Sequence, residues 1–243
     1  MCIRDRLNPG SVQIIVTSAA SNGVLLDNIK DVPVYADYTT IGSVVSGLTA
    51  AGFQELQTFV NNLFVPDSTL VVPTPNVLTV TGFMSVAKST VNVNGRLNVL
   101  GNFSDPDSTI NVIGTMTVGG NTIIAGNSTL NIAPGAVFST VGSTSFAGST
   151  ALVNGTLATG TNFDATNSTF LVNGALTAGT TFNATSSNVT VSGSMGVGSS
   201  AVFDSNSNLT LNPGATMNVG STCLLYTSPS PRDRTRSRMP SSA

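Results

Sequence analysis

Asp164, Asn183 and Asp204 are the residues whose spacing comes nearest to catalytic chemistry, because each follows an apolar anchor in successive repeats of the chain. Stacked coils of β-structure would put the two carboxylates about 9.6 Å apart, at the outer edge of the ~6.5–9.5 Å separation of inverting glycosidases. The same column reads equally as half of a calcium site, although calcium takes six to eight oxygens, or as a polar ladder at a solvated corner. Ser104-Asp105-Pro106-Asp107-Ser108 reads as a turn, with a loop calcium site as its functional alternative. The wider inventory is poor in reactive groups. Histidine is absent, which removes the ordinary general base near neutrality and the imidazole metal ligand. Lys and Arg are missing from Leu97 to Thr222. No cofactor is expected beyond that calcium option, and the chain is expected not to be an enzyme; a polysaccharide-active hydrolase or lyase is the catalytic alternative.

Hydroxyls and amides are what the chain has in quantity. Thr90 and Asn92, Thr109 and Asn111, Thr129 and Asn131 recur at the second and fourth places of one strand; Thr150 with Leu152 and Thr169 with Leu171 follow. Asn188 with Thr190 and Asn208 with Thr210 then invert the order. A solenoid would set these residues in two straight, nearly uncharged columns suited to glycans or ordered water. Threonine columns on flat solenoid faces serve ice binding in several proteins, and threonine also suits exposed strands for structural reasons alone. N-x-S/T sequons at Asn102, Asn127, Asn167, Asn183, Asn188 and Asn208 would be glycosylation acceptors in a secretory eukaryote.

The ends read differently from the middle. Met1–Arg6 and Cys223–Ser228 can be written in mutually reverse-complementary DNA, and the remaining tail resembles read-through of a sequencing adapter. Residues 1–6 and 223–243 are therefore expected to be artefact, with 223–243 disordered. Setting them aside removes both cysteines and leaves three basic side chains against nine acidic, a net charge of about −6 in place of −2. The four tail arginines, Arg232, Arg234, Arg236 and Arg238, then cease to argue for nucleic acid. No apolar run approaches the ~20 residues of a membrane span.

What must position these groups is a repeat. Serines followed by Thr or Asn recur at Ser68, Ser89, Ser108, Ser128, Ser149, Ser168, Ser187 and Ser207. Inward apolar pairs alternate with period two, as in Val91 and Val93 or Ile110 and Val112, and corner glycines follow, several as Asn-Gly. Those Asn-Gly pairs predict tight turns with positive φ. A third anchor closes each coil: Phe103, Phe146, Phe163, Phe182 or Phe203, with Ile123 or Ile124 substituting. The fold predicted is an all-β, right-handed parallel β-helix over 68–222, about 20 residues per coil, its phenylalanines in an internal stack. Residues 7–67 are not repetitive; a helix over about 49–64, with Phe53, Leu56, Phe59, Val60, Leu63 and Phe64 on one face, is expected to cap the first coil.

The phrases NGALTAGTTF (173–182), SGSMGVGSSAVF (192–203) and NPGATMNVGS (212–221) resemble the glycine-cornered coils of autotransporter passengers and haemagglutinin-type exoproteins. That resemblance implies a secreted or cell-surface β-helix acting as an adhesin, with a glycan or cell-surface ligand as its partner. Open strand edges at the last coil add end-to-end self-association.

Overall fold

The computed structural model describes residues 61–225 throughout, together with three strand backbones, Gln13–Ile14, Gly42–Leu48 and Gln54–Val60. The chain winds as a parallel β-solenoid with three sheets of nine, ten and nine strands. The first face carries Thr69–Val72, Thr90–Val93, Thr109–Val112, Thr129–Ile132, Thr150–Val153, Thr169–Val172, Asn188–Val191 and Asn208–Leu211. The second runs from Val77–Val80 to Thr216–Val219 and the third from Leu63–Pro66 to Thr222–Leu225. Thr90 pairs with Thr109, Thr109 with Thr129 and Thr129 with Thr150, steps of 19 to 21 residues that leave the register unbroken. Corners absorb the slack, which strands could not do without turning every side chain over.

Alternation decides what is inside. Val91, Ile110, Leu130, Ala151, Phe170 and Val189 form one wholly buried column, and Val93, Val112, Ile132, Val153, Val172 and Val191 the next. On the third face each central coil contributes one large and one small inward residue: Thr144 with Phe146, Phe163 with Ala165, Phe182 with Ala184, and Ala201 with Phe203. The phenylalanine thus changes place within its strand. Rings still meet from coil to coil, Phe146 stacking on Phe163 at 5.5 Å and Phe163 on Phe182 at 5.2 Å. Phe103 stands apart from this stack and meets Phe138 of the second face edge-on at 6.5 Å.

Three expectations need correction. Of the helix expected over 49–64, residues 49–53 lie outside the described residues, while Gln54–Val60 and Leu63–Pro66 are strands. Leu63 and Val65 point inward with Phe64 between them, so the apolar spacing read as helical is also a two-residue alternation. Gly42–Leu48 and Gln54–Val60 form an antiparallel hairpin whose second strand pairs in parallel with Val77–Val80. Cys223–Leu225, placed among the disordered tail, belong to a strand that pairs with Ala201, Val202 and Phe203. Third, the corner glycines of the Asn-Gly pairs, Gly95, Gly155 and Gly174, do not have positive φ. They are small because a Cβ at Gly174 would lie on the carbonyl oxygen of Gly155 in the preceding coil.

Candidate binding face

The corner entering the first face turns on a residue in the left-handed region: Asp67, Lys88, Asp107, Asn127, Asn167 and Ser186 have φ between 47° and 64°. That turn swings the following serine inward. Ser89, Ser108, Ser128, Ser149, Ser168 and Ser187 are all buried. They are the repeat starts recognised in the sequence, where they served as markers and nothing more. In the fold they are a hydrogen-bond ladder. The amide of Ser89 donates to Oγ of Ser108 (3.1 Å) and that of Ser108 to Oγ of Ser128 (3.1 Å). A second run links Ser149, Ser168, Ser187 and Ser207 at 3.0–3.2 Å. From Ser89 to Ser187 each hydroxyl in turn donates to a nearby carbonyl, as Ser168 does to Thr166 at 2.8 Å. Ser168→Ala removes the acceptor of a buried amide and is expected to lower stability by roughly 1–3 kcal/mol. Thr169→Ala, one residue on but facing outward, should stay within about 0.5 kcal/mol; urea unfolding followed by circular dichroism separates the two.

With serine inward, the next residue must face out. Thr69, Thr90, Thr109, Thr129, Thr150 and Thr169 share one register column, which Asn188 and Asn208 continue. The second column holds Asn92, Asn111, Asn131, Leu152, Leu171, Thr190 and Thr210. Asn131 donates to Asn111 and Asn111 to Asn92, both at 2.9 Å, so these amides are locked in one orientation. None of the eight first-face strands from Thr69 to Leu211 contains a charged residue. Along its margin Asp67, Lys88 and Asp107 edge a shallow groove lined also by Thr69, Thr90 and Thr109.

The carboxylate column does not form. Asp164 pairs with Asn183, whose amide donates to it at 2.7 Å, but Asn183 pairs with Val202. Asp204 lies two residues further along, at the corner, because Phe203 occupies the later inward place of its strand while Phe163 and Phe182 occupy the earlier one. Its Oδ1 accepts from the Ser207 hydroxyl at 2.6 Å and from the amides of Ser186 and Asn206. The Ser207 contact, with those amides, holds its carboxyl below the usual range. Asp204 is a corner cap.

Residues 104–108 are not an open turn either. Phe103–Pro106 is a strand, Asp105 faces the core with no exposed surface, and Asp107 is exposed at the corner. Among the described residues no three His, Cys, Asp or Glu cluster to hold a metal ion. Sequence reading placed Asp105 in a turn, although parity with the inward Phe103 would have turned it into the core. Neither of its oxygens has a hydrogen-bond partner. Ser128 Oγ is turned to the carbonyls of Ala125 and Asp105, and Ser108 Oγ to that of Pro106. Burial pushes the carboxyl up to about 6; the nearby Ser108 and Ser128 hydroxyls act the other way, and Asp107 adds to the rise.

Two of the sequons sit at that corner. Asn127 and Asn167 hold left-handed backbone, and the serines after them, Ser128 and Ser168, are buried in the ladder. Asn102, Asn188 and Asn208 are exposed, and Asn183 is half-buried against Asp164. Among the described residues no helix is long and apolar enough to cross a membrane. No family model matches the chain, and searches of curated proteins and of solved structures also gave no match.

Proposed function

We propose that the chain is a non-catalytic, secreted or cell-surface solenoid that binds hydroxyl-rich glycans along its first face. The observation that carries this reading is the column of six threonines, Thr69 to Thr169, in unbroken register beside a locked amide ladder. Coils repeat about every 4.8 Å, so an extended polymer lying along the rod meets one hydroxyl per coil. Each contact is weak, and many in a row supply the affinity. The displacement of Asp204 from Asp164 and the burial of Asp105 support a binding role over a hydrolytic one.

The test is retention of the full chain on immobilised polysaccharides. Thr129→Tyr, which raises a ring from the middle of the column, should weaken binding at least about tenfold, the loss of about 1.4 kcal/mol. Ser145→Tyr, outward on the third face, should leave it unchanged. Equal effects, or no polysaccharide retained, would reject the reading. The same column favours one second reading, ice binding: thermal hysteresis in the parent chain, lost in Thr129→Tyr, would select it.

A further inference from the structure

The third face has one weak boundary, and Asp105 sits on it. Phe103–Pro106 pairs with Met84–Ala87 at only two positions, Phe103 with Met84 and Ser104 with Ser85. The other neighbouring pairs on this face match over four. Pro106 has no N–H to give, and its carbonyl accepts the amide of Lys88 at a long 3.3 Å. Just where the ladder lapses, the inward place beside Phe103 is filled by a carboxyl without a partner, in the position that Ala165 and Ala184 fill beside Phe163 and Phe182.

We propose that this boundary is a proton-controlled seam in the rod, closed while the Asp105 carboxyl holds its proton and opening locally, ahead of the other coil boundaries, once that proton leaves. A protonated carboxyl can donate to a neighbouring carbonyl or serine oxygen, whereas the anion can only accept, and the hydroxyls beside it are already donating to main-chain oxygens. The charged groups nearby do not relieve it. Asp107, at the adjoining corner, is negative and opposes ionisation. Lys88 and Asp67, at the same corner in preceding coils, are exposed, and Arg96 is exposed on the second face.

The direction follows from linkage. The closed seam holds its proton up to about pH 6, and an opened, hydrated Asp105 only to its ordinary 3.8. Closure is therefore favoured by acid, weakens as pH rises from about 4 to about 6, and is constant above that.

Hydrogen exchange on the full chain, corrected for intrinsic rates, tests this at Val86 to Lys88 and Ser104 to Ser108, with Asp164–Thr166 and Asn183–Thr185 as reference strands. Protection at the seam should fall roughly thirtyfold between pH 4.5 and 7.5 while the reference strands hold steady. Asp105→Asn, close in volume and unable to ionise, should abolish the pH dependence, and Asp105→Val, which matches the neighbouring Val86, should abolish it independently. Unchanged pH dependence in a folded variant would overturn the proposal. So would a loss of protection in all coils together, which would make Asp105 a determinant of global stability only.

Discussion

Gly174→Ala is expected to cost at least about 3 kcal/mol, the upper end of overpacking penalties, because the obstruction is main chain and cannot rotate away. A Cβ there would overlap the carbonyl oxygen of Gly155 and press on that of Asn154. The collision recurs along the corner, since Gly193 would meet Gly174 in the same way. Relief would require two coils to separate, and that separation would break the first- and second-face pairings on either side of the corner. Gly135 is the control. Its φ is +78° and nothing lies within 4 Å of an added Cβ, so Gly135→Ala should cost only the ~1–2 kcal/mol of a left-handed L-residue. Urea midpoints would rank the two. If Gly135→Ala proved the worse, coil spacing would not be what selects glycine at the Asn-Gly corner.

Phe163→Ala should be comparably severe, roughly 3–5 kcal/mol, as expected when a buried ring is truncated to a methyl. Phe163 stacks on Phe146 and Phe182 and takes the edge of Phe170 at 5.4 Å. Its strand also offers a way to separate lost volume from lost position. Because Ala165 is the small inward partner, Phe163→Ala combined with Ala165→Phe restores the ring at the place that Phe146 holds one coil earlier. The double variant should recover about half of the loss, with the two changes coupled as contacting residues are. A double variant less stable than Phe163→Ala alone would show that the place of the ring, and not the sum of large and small, is fixed.

That freedom of the ring explains what could and could not be read from the sequence. Period, strand parity and the outward threonine columns were legible because they rest on backbone alternation, which is strict. Aligning repeats on phenylalanine was not safe, because the core asks for volume per coil and accepts it at either inward place. The misplacement of Asp204 by two residues follows directly from that. Asp105 was read as part of a turn because Pro106 and Asp107 beside it have that composition, yet parity turns it inward. The glycines were recognised for the wrong property, conformational freedom at Gly95, Gly155 and Gly174, where the fold needs absence of bulk. The residues around 54–66 suited either periodicity, and pairing with the coil that follows them decides for strand.

The serine ladder also has a direction along the chain. Every inner amide from Ser68 to Ser108, and from Ser149 to Ser187, donates forward, to a hydroxyl that belongs to the coil made after it. Each of these amides is therefore answered inside the protein only when the next turn of polypeptide is in place. At Ser207 the sequence is interrupted, for that amide returns to the carbonyl of Asp204, whose side chain takes the Ser207 hydroxyl as well. Ser207 is thus closed from within its own corner, whereas the earlier serines of each run depend on the coil that follows them.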